Sequence, residues 1–239
     1  MAINQLSRTE LVYGNDAIKR LKNAHVAVFG LGGVGGNVAE ALARSGIGTL
    51  DLIDFDRVCM TNLNRQVFAT RKTVGQYKAI AAKDRILEIS PDTNVNARIC
   101  FYTPDKKHEF DFASYDYIVD AIDNVTAKLD LIQEAQRLQV PIICAMGCGS
   151  RKDPSRLKVT DLYKTSNDPL SRIMRHECKK RGIKKLTVVF SDEDPIRPTK
   201  EQLEQMGPSK KKVLGSTAFV PAAAGLLIAS YVVNHLTEE

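Results

Sequence analysis

Apolar runs alternate with amphipathic stretches through the first 150 residues of the chain. Short, nearly continuous apolar runs are typical of buried strands, and apolar positions three or four apart are typical of helices. Strands that alternate with helices indicate a parallel sheet with right-handed crossovers. The predicted strands cover 25–30, 49–54, 94–101, 115–123 and 140–146, and the predicted helices cover 34–45, 76–89 and 125–139.

The pattern changes after residue 150. Strands are predicted at 157–163 and 186–191 with a basic helix between them, and no further strand–helix repeat follows. We therefore expect an α/β fold with a Rossmann-like mixed sheet: a parallel N-terminal half with helices on both faces, and antiparallel strands added in the C-terminal part. No linker or repeat divides the chain. The expected organisation is a single domain over 1–239, with a nucleotide-binding core at 1–150 and a basic C-terminal part at 151–239.

A glycine-rich turn follows the first strand in "VAVFGLGGVGG", residues 26–36. Gly30 allows a tight turn, Gly32 lets a phosphate approach the backbone, and Gly35 lets the next helix pack closely. The helix N-terminus offers free N–H groups to an anion. Asp54, at the end of the second strand, stands where a ribose-binding carboxylate belongs. Together these features predict a nucleotide site.

Polar side chains follow two of the predicted strands, in "DFDRVCMTNLNRQ" at 54–66 and "DAIDN" at 120–124. Arg65 and Lys78 could neutralise phosphate oxygens, and Asp123 could hold magnesium. Hydride transfer needs no such array of charged side chains, whereas attack on phosphorus does, because charge builds up on the phosphoryl oxygens. The array favours ATP over NAD, although each charge taken singly could be a surface ion-pair partner. A nicotinamide-dependent oxidoreductase or a non-catalytic nucleotide-binding module remain the alternatives.

These motifs, with "GIGTLDLID" and "VGQYKA", resemble the ubiquitin-activating-enzyme-like family, which adenylates carboxylates with ATP; the resemblance covers most of 8–150. It implies catalytic roles for Arg65, Lys78 and Asp123, with magnesium bound at Asp123. It also implies a homodimer, because Arg8 matches an arginine that reaches the ATP of the other subunit. The implied ATP ligands are Gly30, Gly32, Gly33, Gly35, Asp54, Asn62, Arg65, Lys78, Asn124 and Arg8 from a second copy of the chain.

The second half resembles the tRNA-modifying dehydratase branch of that family, through "DPSRLKVTDLYKTSNDPLSRIMR", "VVFSDEDP" and "GSTAFVPAAAGLLIAS". This resemblance implies adenylation of the carboxylate of threonylcarbamoyladenosine in tRNA, then cyclisation with net loss of water and release of AMP and pyrophosphate. A possible partner is a sulfur-relay protein. The alternative is an activating enzyme for a small sulfur-carrier or ubiquitin-like protein. Such enzymes commonly carry two Cys-x-x-Cys zinc pairs, which this chain lacks, so no zinc is expected.

The net charge of +6 is concentrated between residues 151 and 212. A basic half suggests a polyanionic partner such as nucleic acid, while a solvated basic face is the alternative. The expected tRNA contacts are Arg151, Lys152, Lys179, Lys180, Arg181, Lys184 and Lys185, then Arg156, Lys158, Arg172 and Arg175, with Lys210, Lys211 and Lys212 as a mobile arm.

The cysteines and the terminal segments indicate in which cellular compartment the protein is expected to work. The five cysteines are odd in number and follow no secretory signal pattern, which favours free thiols in the cytoplasm. Basic neighbours could lower the pKa of Cys178, although an incidental thiol is favoured. The four histidines are expected to be packing or surface residues. The apolar stretch 217–236 contains Pro221 and Asn234, so a buried or dimer-facing helix is favoured over membrane insertion.

Overall fold

A computed structural model describes residues 3–205 and 214–238. Its described part contains a seven-stranded sheet with the strand order β3-β2-β1-β4-β5-β7-β6. The strands are β1 (His25–Phe29), β2 (Thr49–Ile53), β3 (Asn94–Arg98), β4 (Tyr117–Asp120), β5 (Ile142–Ala145), β6 (Leu157–Asp161) and β7 (Thr187–Ser191).

The sheet is mixed, which confirms the predicted fold class. Strands β1 to β5 pair in parallel, and β7 joins them in parallel next to β5. Strand β6 pairs antiparallel with β7 at the edge of the sheet. The parallel part therefore continues into the C-terminal half, and β6 is the strand that reverses direction.

Helices cover both faces of the sheet because the central strands are apolar on both sides. Val26 and Val28 pack in one buried cluster with residues of α3 (Gly35–Ser45) and α8 (Phe219–Thr237), while Ala27 and Phe29 pack in a second cluster with residues of α5 (Val125–Leu138). The helices are α1 (Ser7–Tyr13), α2 (Asn15–Asn23), α3 (Gly35–Ser45), α4 (Lys78–Ile89), α5 (Val125–Leu138), α6 (Pro169–Lys180), α7 (Lys200–Gln205) and α8 (Phe219–Thr237).

Helix α8 is long and apolar enough to cross a membrane by length and composition. One side of it is buried, and Ala224 and Ile228 belong to the same core cluster as residues of α3. A Cβ at Gly225 would lie 2.6 Å from the carbonyl oxygen of Val34, so the two helices approach closely. Leu226 on the other side of α8 is 56% exposed. The helix therefore packs on the core through one side and presents apolar surface on the other.

Candidate active site

A cavity of about 650 Å³ lies where the parallel strands end. Its first half is formed by the loops that follow β1, β2, β3 and β4. Its second half is formed by residues 146–149, Arg151, the start of α6 and the segment 214–216. Of the residues predicted for ATP and magnesium, those that line the cavity are Gly30, Gly32, Gly33, Asp54, Asn62, Arg65, Lys78 and Asp123.

The glycine turn forms the floor of the first half. Gly30 has φ +87°, and a Cβ there would lie 2.7 Å from the carbonyl oxygen of Ala121, so any side chain would collide. The Cβ position of Gly32 instead faces open space, with the Gln66 side chain 4.0 Å away. Gly35 does not line the cavity, since its Cβ position is blocked by the backbone of Gly30. Gly35 thus serves packing, and Gly32 leaves the backbone accessible.

The Asp54 carboxylate accepts hydrogen bonds from the glycine turn and from its own loop. Its Oδ2 atom accepts a hydrogen bond from the amide of Leu31 at 2.7 Å, and its Oδ1 atom accepts one from the amide of Asp56 at 2.8 Å. Burial raises the pKa of the Asp54 carboxyl, although the Lys78 charge and the two amide hydrogen bonds oppose that shift. The second strand therefore delivers a fixed carboxyl to the cavity.

The positively charged groups of the first half come from two segments. Lys78, at the start of α4, is buried, and its Nζ atom lies 2.7 Å from Asp56 Oδ2. Arg65 is half-buried and donates from Nη1 to the carbonyl oxygen of Thr61 at 2.8 Å. Asn62 is buried and accepts from the amide of Cys59 at 3.1 Å. The folded chain thus brings these three residues to the same cavity.

The carboxylates after β4 have different surroundings. Asp123 is exposed and lines the cavity, where its oxygens suit a hard cation shared with phosphate. Asn124 does not line the cavity: its Oδ1 atom accepts from the Ala127 amide at 3.0 Å and caps α5. Asp120 is fully buried and pairs with Lys128 at 2.9 Å. In the described part of the chain, no three His, Cys, Asp or Glu side chains group to hold a metal by themselves.

Arg151 requires a correction, because it was expected on a tRNA-binding surface. It is 3% exposed, and its Nη2 atom lies 3.1 Å from Asp168 Oδ1. Asp168 also caps α6 by accepting from the Ser171 amide at 2.9 Å. A guanidinium held in this way cannot reach RNA phosphates without breaking the pair. Arg151 and Asp168 instead form part of the wall of the second half of the cavity.

The other basic residues fall into two groups. Some are held by acidic or carbonyl partners: Arg156 and Lys158 pair with Asp192, Lys180 and Arg181 pair with Glu177, and Arg175 donates to Thr165. Others are exposed and have no ion-pair partner among the described residues: Lys152, Arg172, Lys179, Lys184 and Lys185. Lys210, Lys211 and Lys212 lie outside the described residues. The exposed group gives α6 and the turn after it a basic outer surface.

Two aromatic residues line the cavity without having been predicted. Phe55 and Phe101 follow β2 and β3, their rings meet edge to face with centroids 4.6 Å apart, and they are 47% and 40% exposed. A signal was present for Phe55, which directly follows the strand predicted at 49–54 and so stands at the ligand-binding edge of the sheet. Phe101 gave no such signal, because it lies inside the strand predicted at 94–101. They offer an apolar surface to a flat ring.

The remaining predicted residues lie apart from the cavity or in the core. Arg8 is exposed on α1 and does not line the cavity of its own chain. Cys178 is buried in the core, and burial raises its pKa to about 11, so the hypothesis of a lowered pKa is wrong. His25 Nε2 lies 2.9 Å from Asp51 Oδ1, away from the cavity.

Known proteins resemble this chain over nearly its whole length. The sequence matches the ThiF family over residues 4–239. It is 40% identical over 244 residues to a Bacillus subtilis protein named tRNA threonylcarbamoyladenosine dehydratase, covering 99% of this chain and 96% of that protein. The Escherichia coli protein of the same name is 42% identical over 198 residues, covering 80% and 74%.

A solved structure of the Escherichia coli tRNA N6-threonylcarbamoyladenosine dehydratase in complex with ATP has the same fold. It superposes on this chain with a TM-score of 0.87 at 35% identity, covering 97% of this chain and 93% of that one.

Proposed function

The chain belongs to the ThiF family, and we propose that it is an ATP-dependent tRNA threonylcarbamoyladenosine dehydratase acting as one domain in the cytoplasm. The observation that carries the proposal is the cavity, which brings the Asp54 carboxyl, the Arg65 and Lys78 cations and Asp123 to the carboxyl ends of the strands. The full-length similarity to dehydratases supports the same conclusion.

The proposed reaction has two steps. A carboxylate oxygen of the modified nucleoside attacks the α-phosphorus of ATP, the bond to the β-phosphate breaks, and pyrophosphate leaves. The substrate's own carbamoyl group then attacks the acyl carbon and releases one N–H proton, and AMP leaves with the carboxylate oxygen. The nucleoside loses the elements of one water molecule, so no enzyme thiol is needed as a nucleophile.

Each residue of the first half has a place in this scheme. Asp54 holds the ribose, and the backbone at Gly32 and Gly33 lets the phosphates approach the start of α3. Arg65 and Lys78 stabilise the negative charge that builds on the phosphoryl oxygens. Asp123, whose carboxylate lines the cavity, would hold a magnesium ion bound with ATP, and that ion would supply charge neutralisation at the phosphates.

The second half of the cavity is the proposed compartment for the modified base. Met146, Leu170 and Leu214 give it apolar surface, and Arg151 and Asp168 neutralise each other in its wall. Such surroundings suit an uncharged planar group better than a phosphate. The base must leave its stack in the tRNA to enter, as bases do in other enzymes that act on them. The tRNA phosphates then stay outside, near the exposed lysines of α6.

We also propose that the protein works as a homodimer in which Arg8 completes the ATP site of the other copy. Arg8 is exposed on α1 and lies outside the cavity of its own chain, as such an arrangement requires. The exposed apolar residues Leu11 and Val12, at 87% and 78%, lie on the same helix. Mixing inactive Arg8→Ala and Asp123→Ala variants should restore activity through hybrid sites. Failure to complement would contradict the shared site.

The decisive experiment incubates the protein with ATP, magnesium and tRNA that carries threonylcarbamoyladenosine, followed by mass analysis of the digested nucleosides. The expected result is loss of one water from that nucleoside, with stoichiometric AMP and pyrophosphate. A parallel ATP–pyrophosphate exchange assay compares this tRNA with a small sulfur-carrier protein. Exchange that depends on the carrier alone would replace the proposal with the carrier-activating function.

A further inference from the structure

A buried lysine ties together the ends of two strands under the cavity. Lys128, on α5, is completely buried, and its Nζ atom donates to Asp120 Oδ2 at 2.9 Å and to the carbonyl oxygen of Ala145 at 2.8 Å. Asp120 is the last residue of β4, and Ala145 is the last residue of β5. One ammonium group therefore joins two neighbouring strand ends and the helix.

Both strand ends continue directly into the cavity wall. After β4, Ala121, Ile122 and Asp123 line the cavity, and after β5 the lining continues through 146–149. The other oxygen of Asp120 accepts from the amide of Ile122 at 3.1 Å, which fixes the turn that carries Asp123. The ion pair thus holds the backbone on both sides of the cavity floor.

The same loop also touches the glycine turn. The Ala121 amide donates to the carbonyl oxygen of Phe29 at 2.8 Å, and the Ala121 carbonyl oxygen lies 2.7 Å from the Cβ position of Gly30. These contacts leave no room for the 121–124 loop to shift toward the turn. A displacement at Asp120 would therefore move the glycine turn, where the nucleotide phosphates are proposed to bind, as well as Asp123.

Stability alone does not account for a lysine at this position. Removing two charges from water costs free energy that their attraction barely offsets, so apolar residues of similar volume often serve a core as well or better. What the pair supplies, and apolar side chains do not, is directional hydrogen bonding to two strand ends. The arrangement resembles the outer-shell contacts that orient ligands around metal sites.

We propose that Lys128, acting through Asp120, is a positioning residue that sets the geometry of the Asp123 loop and of the wall after β5. The proposal rests on the proposed function only in assigning Asp123 to the ATP end of the cavity. The positioning itself is a property of the protein without ligands.

The test uses the neutral double variant Lys128→Met with Asp120→Asn. This variant leaves no unpaired charge in the core, and the side-chain oxygen that the Asp120→Asn change retains can still accept from the Ile122 amide. Amide hydrogen exchange of the ligand-free protein is measured at 121–124 and 145–148, alongside thermal melting and the kcat and KM of cyclisation. Faster exchange in both segments and a kcat about 10- to 100-fold lower are expected.

Leu131→Ala is the matched control, because Leu131 is a completely buried residue of the same helix that does not line the cavity. It should lower the melting temperature while leaving exchange at 121–124 and kcat close to wild type. A neutral double variant that melts like this control and keeps wild-type exchange and kcat would overturn the proposal.

Asp120→Glu covers the case in which the neutral double variant does not fold. It keeps the charge but moves the carboxylate by one methylene, so the same faster exchange and lower kcat are expected, and wild-type values would again overturn the proposal. The proposed function fails separately, if the wild-type protein does not convert the tRNA. The exchange measurements would still decide the positioning role.

Discussion

The ammonium group of Lys78 lies 2.7 Å from the Oδ2 atom of Asp56 at the mouth of the nucleotide half of the cavity. The lysine side chain is 9% exposed, whereas that of Asp56 is 48% exposed. The cation is thus fixed in the wall, and its carboxylate partner is the more solvated of the two. We therefore expect a phosphate that enters the cavity to compete with Asp56 for Lys78.

Replacing Asp56 with Asn should tighten ATP binding. The substitution removes both the competing carboxylate and a negative charge near the phosphates, while the backbone amide at that position still donates to Asp54. Ion pairs with one exposed partner contribute about 0.2–1 kcal/mol, so a gain of roughly 1.4- to 5-fold in affinity is expected by calorimetry. Asp16→Asn is the control, since Asp16 pairs with Lys19 on the surface at 2.8 Å. Unchanged or weaker ATP binding in Asp56→Asn would refute the competition.

Loss of the charged groups around the phosphates should damage turnover more than folding. Arg65→Ala, Lys78→Met and Asp123→Ala are each expected to slow single-turnover cyclisation by about 10²–10³, because each group is proposed to stabilise transition-state charge. Combined variants should lose less than the product of the single losses. Arg85→Ala, which removes a surface arginine of α4 paired with Glu40, is the control. Full activity in Asp123→Ala would remove that carboxylate from the mechanism.

A bulky residue in the second half of the cavity should exclude the modified base. Leu170, in the first turn of α6, is half-buried and lines this compartment. Leu170→Trp should slow cyclisation on the order of 10²-fold by displacing the base, with ATP affinity and tRNA affinity unchanged. The control is Ile173→Trp on the same helix, at a 48% exposed position outside the cavity. Equal activity of the two Trp variants would place the base elsewhere.

The parallel core was predictable because its determinants are local. Strands buried on both faces are nearly continuous apolar runs, so β1 and β2 end within a residue of the prediction. The strand predicted at 94–101 is shorter, ending at Arg98, and Phe101 leaves the sheet to line the cavity. The place of β7 beside β5 was not predictable, because it depends on a crossover and not on the composition of the strand.

The site was predictable where motifs carry it and not where distant partners decide it. Asp54 and Lys78 belong to motifs, and both line the cavity. Arg151 was assigned to the surface because it opens a basic half, but its partner Asp168 is 17 residues away. Lys128 lies on an amphipathic helix, where a lysine is expected to face water. Its burial depends on the Asp120 side chain and the end of β5.

The exposed lysines after α6 should contribute to the salt dependence of tRNA binding. Lys184→Ala with Lys185→Ala removes two exposed charges, and the log–log slope should fall by about 0.7–0.9 for each of them that neutralises a phosphate. Lys19→Ala with Lys22→Ala removes the same charge from the exposed surface of α2 and should leave the slope unchanged. Filter binding at several salt concentrations measures both. Equal slopes in the two double variants would indicate that this basic surface is only hydrated and does not bind tRNA phosphates.

The Asp51 carboxylate should make folding stability depend on pH. Burial raises its pKa, but hydrogen bonds from Asn96, His25 and Tyr115 outweigh that effect, so the pKa lies below its usual value. A lowered pKa means that the stabilisation is present above the unfolded value of about 3.9 and is lost as the pH falls through the folded value.

Tyr115→Phe tests this dependence because it removes the 2.9 Å hydrogen bond from the tyrosine hydroxyl to Asp51 Oδ2. At pH 7 the variant should be less stable by about 1.5–3 kcal/mol, since the hydrogen bond is to a charged acceptor. The difference from wild type should shrink as the pH falls below the unfolded value of about 3.9 and through the lower folded value, where Asp51 takes up a proton in the folded as well as the unfolded state. Denaturant unfolding at each pH measures it, with Tyr13→Phe, which removes an exposed hydrogen bond to Asn234, as the control. A difference that stays constant over this pH range would mean that Tyr115 stabilises the fold without acting on the charge of Asp51.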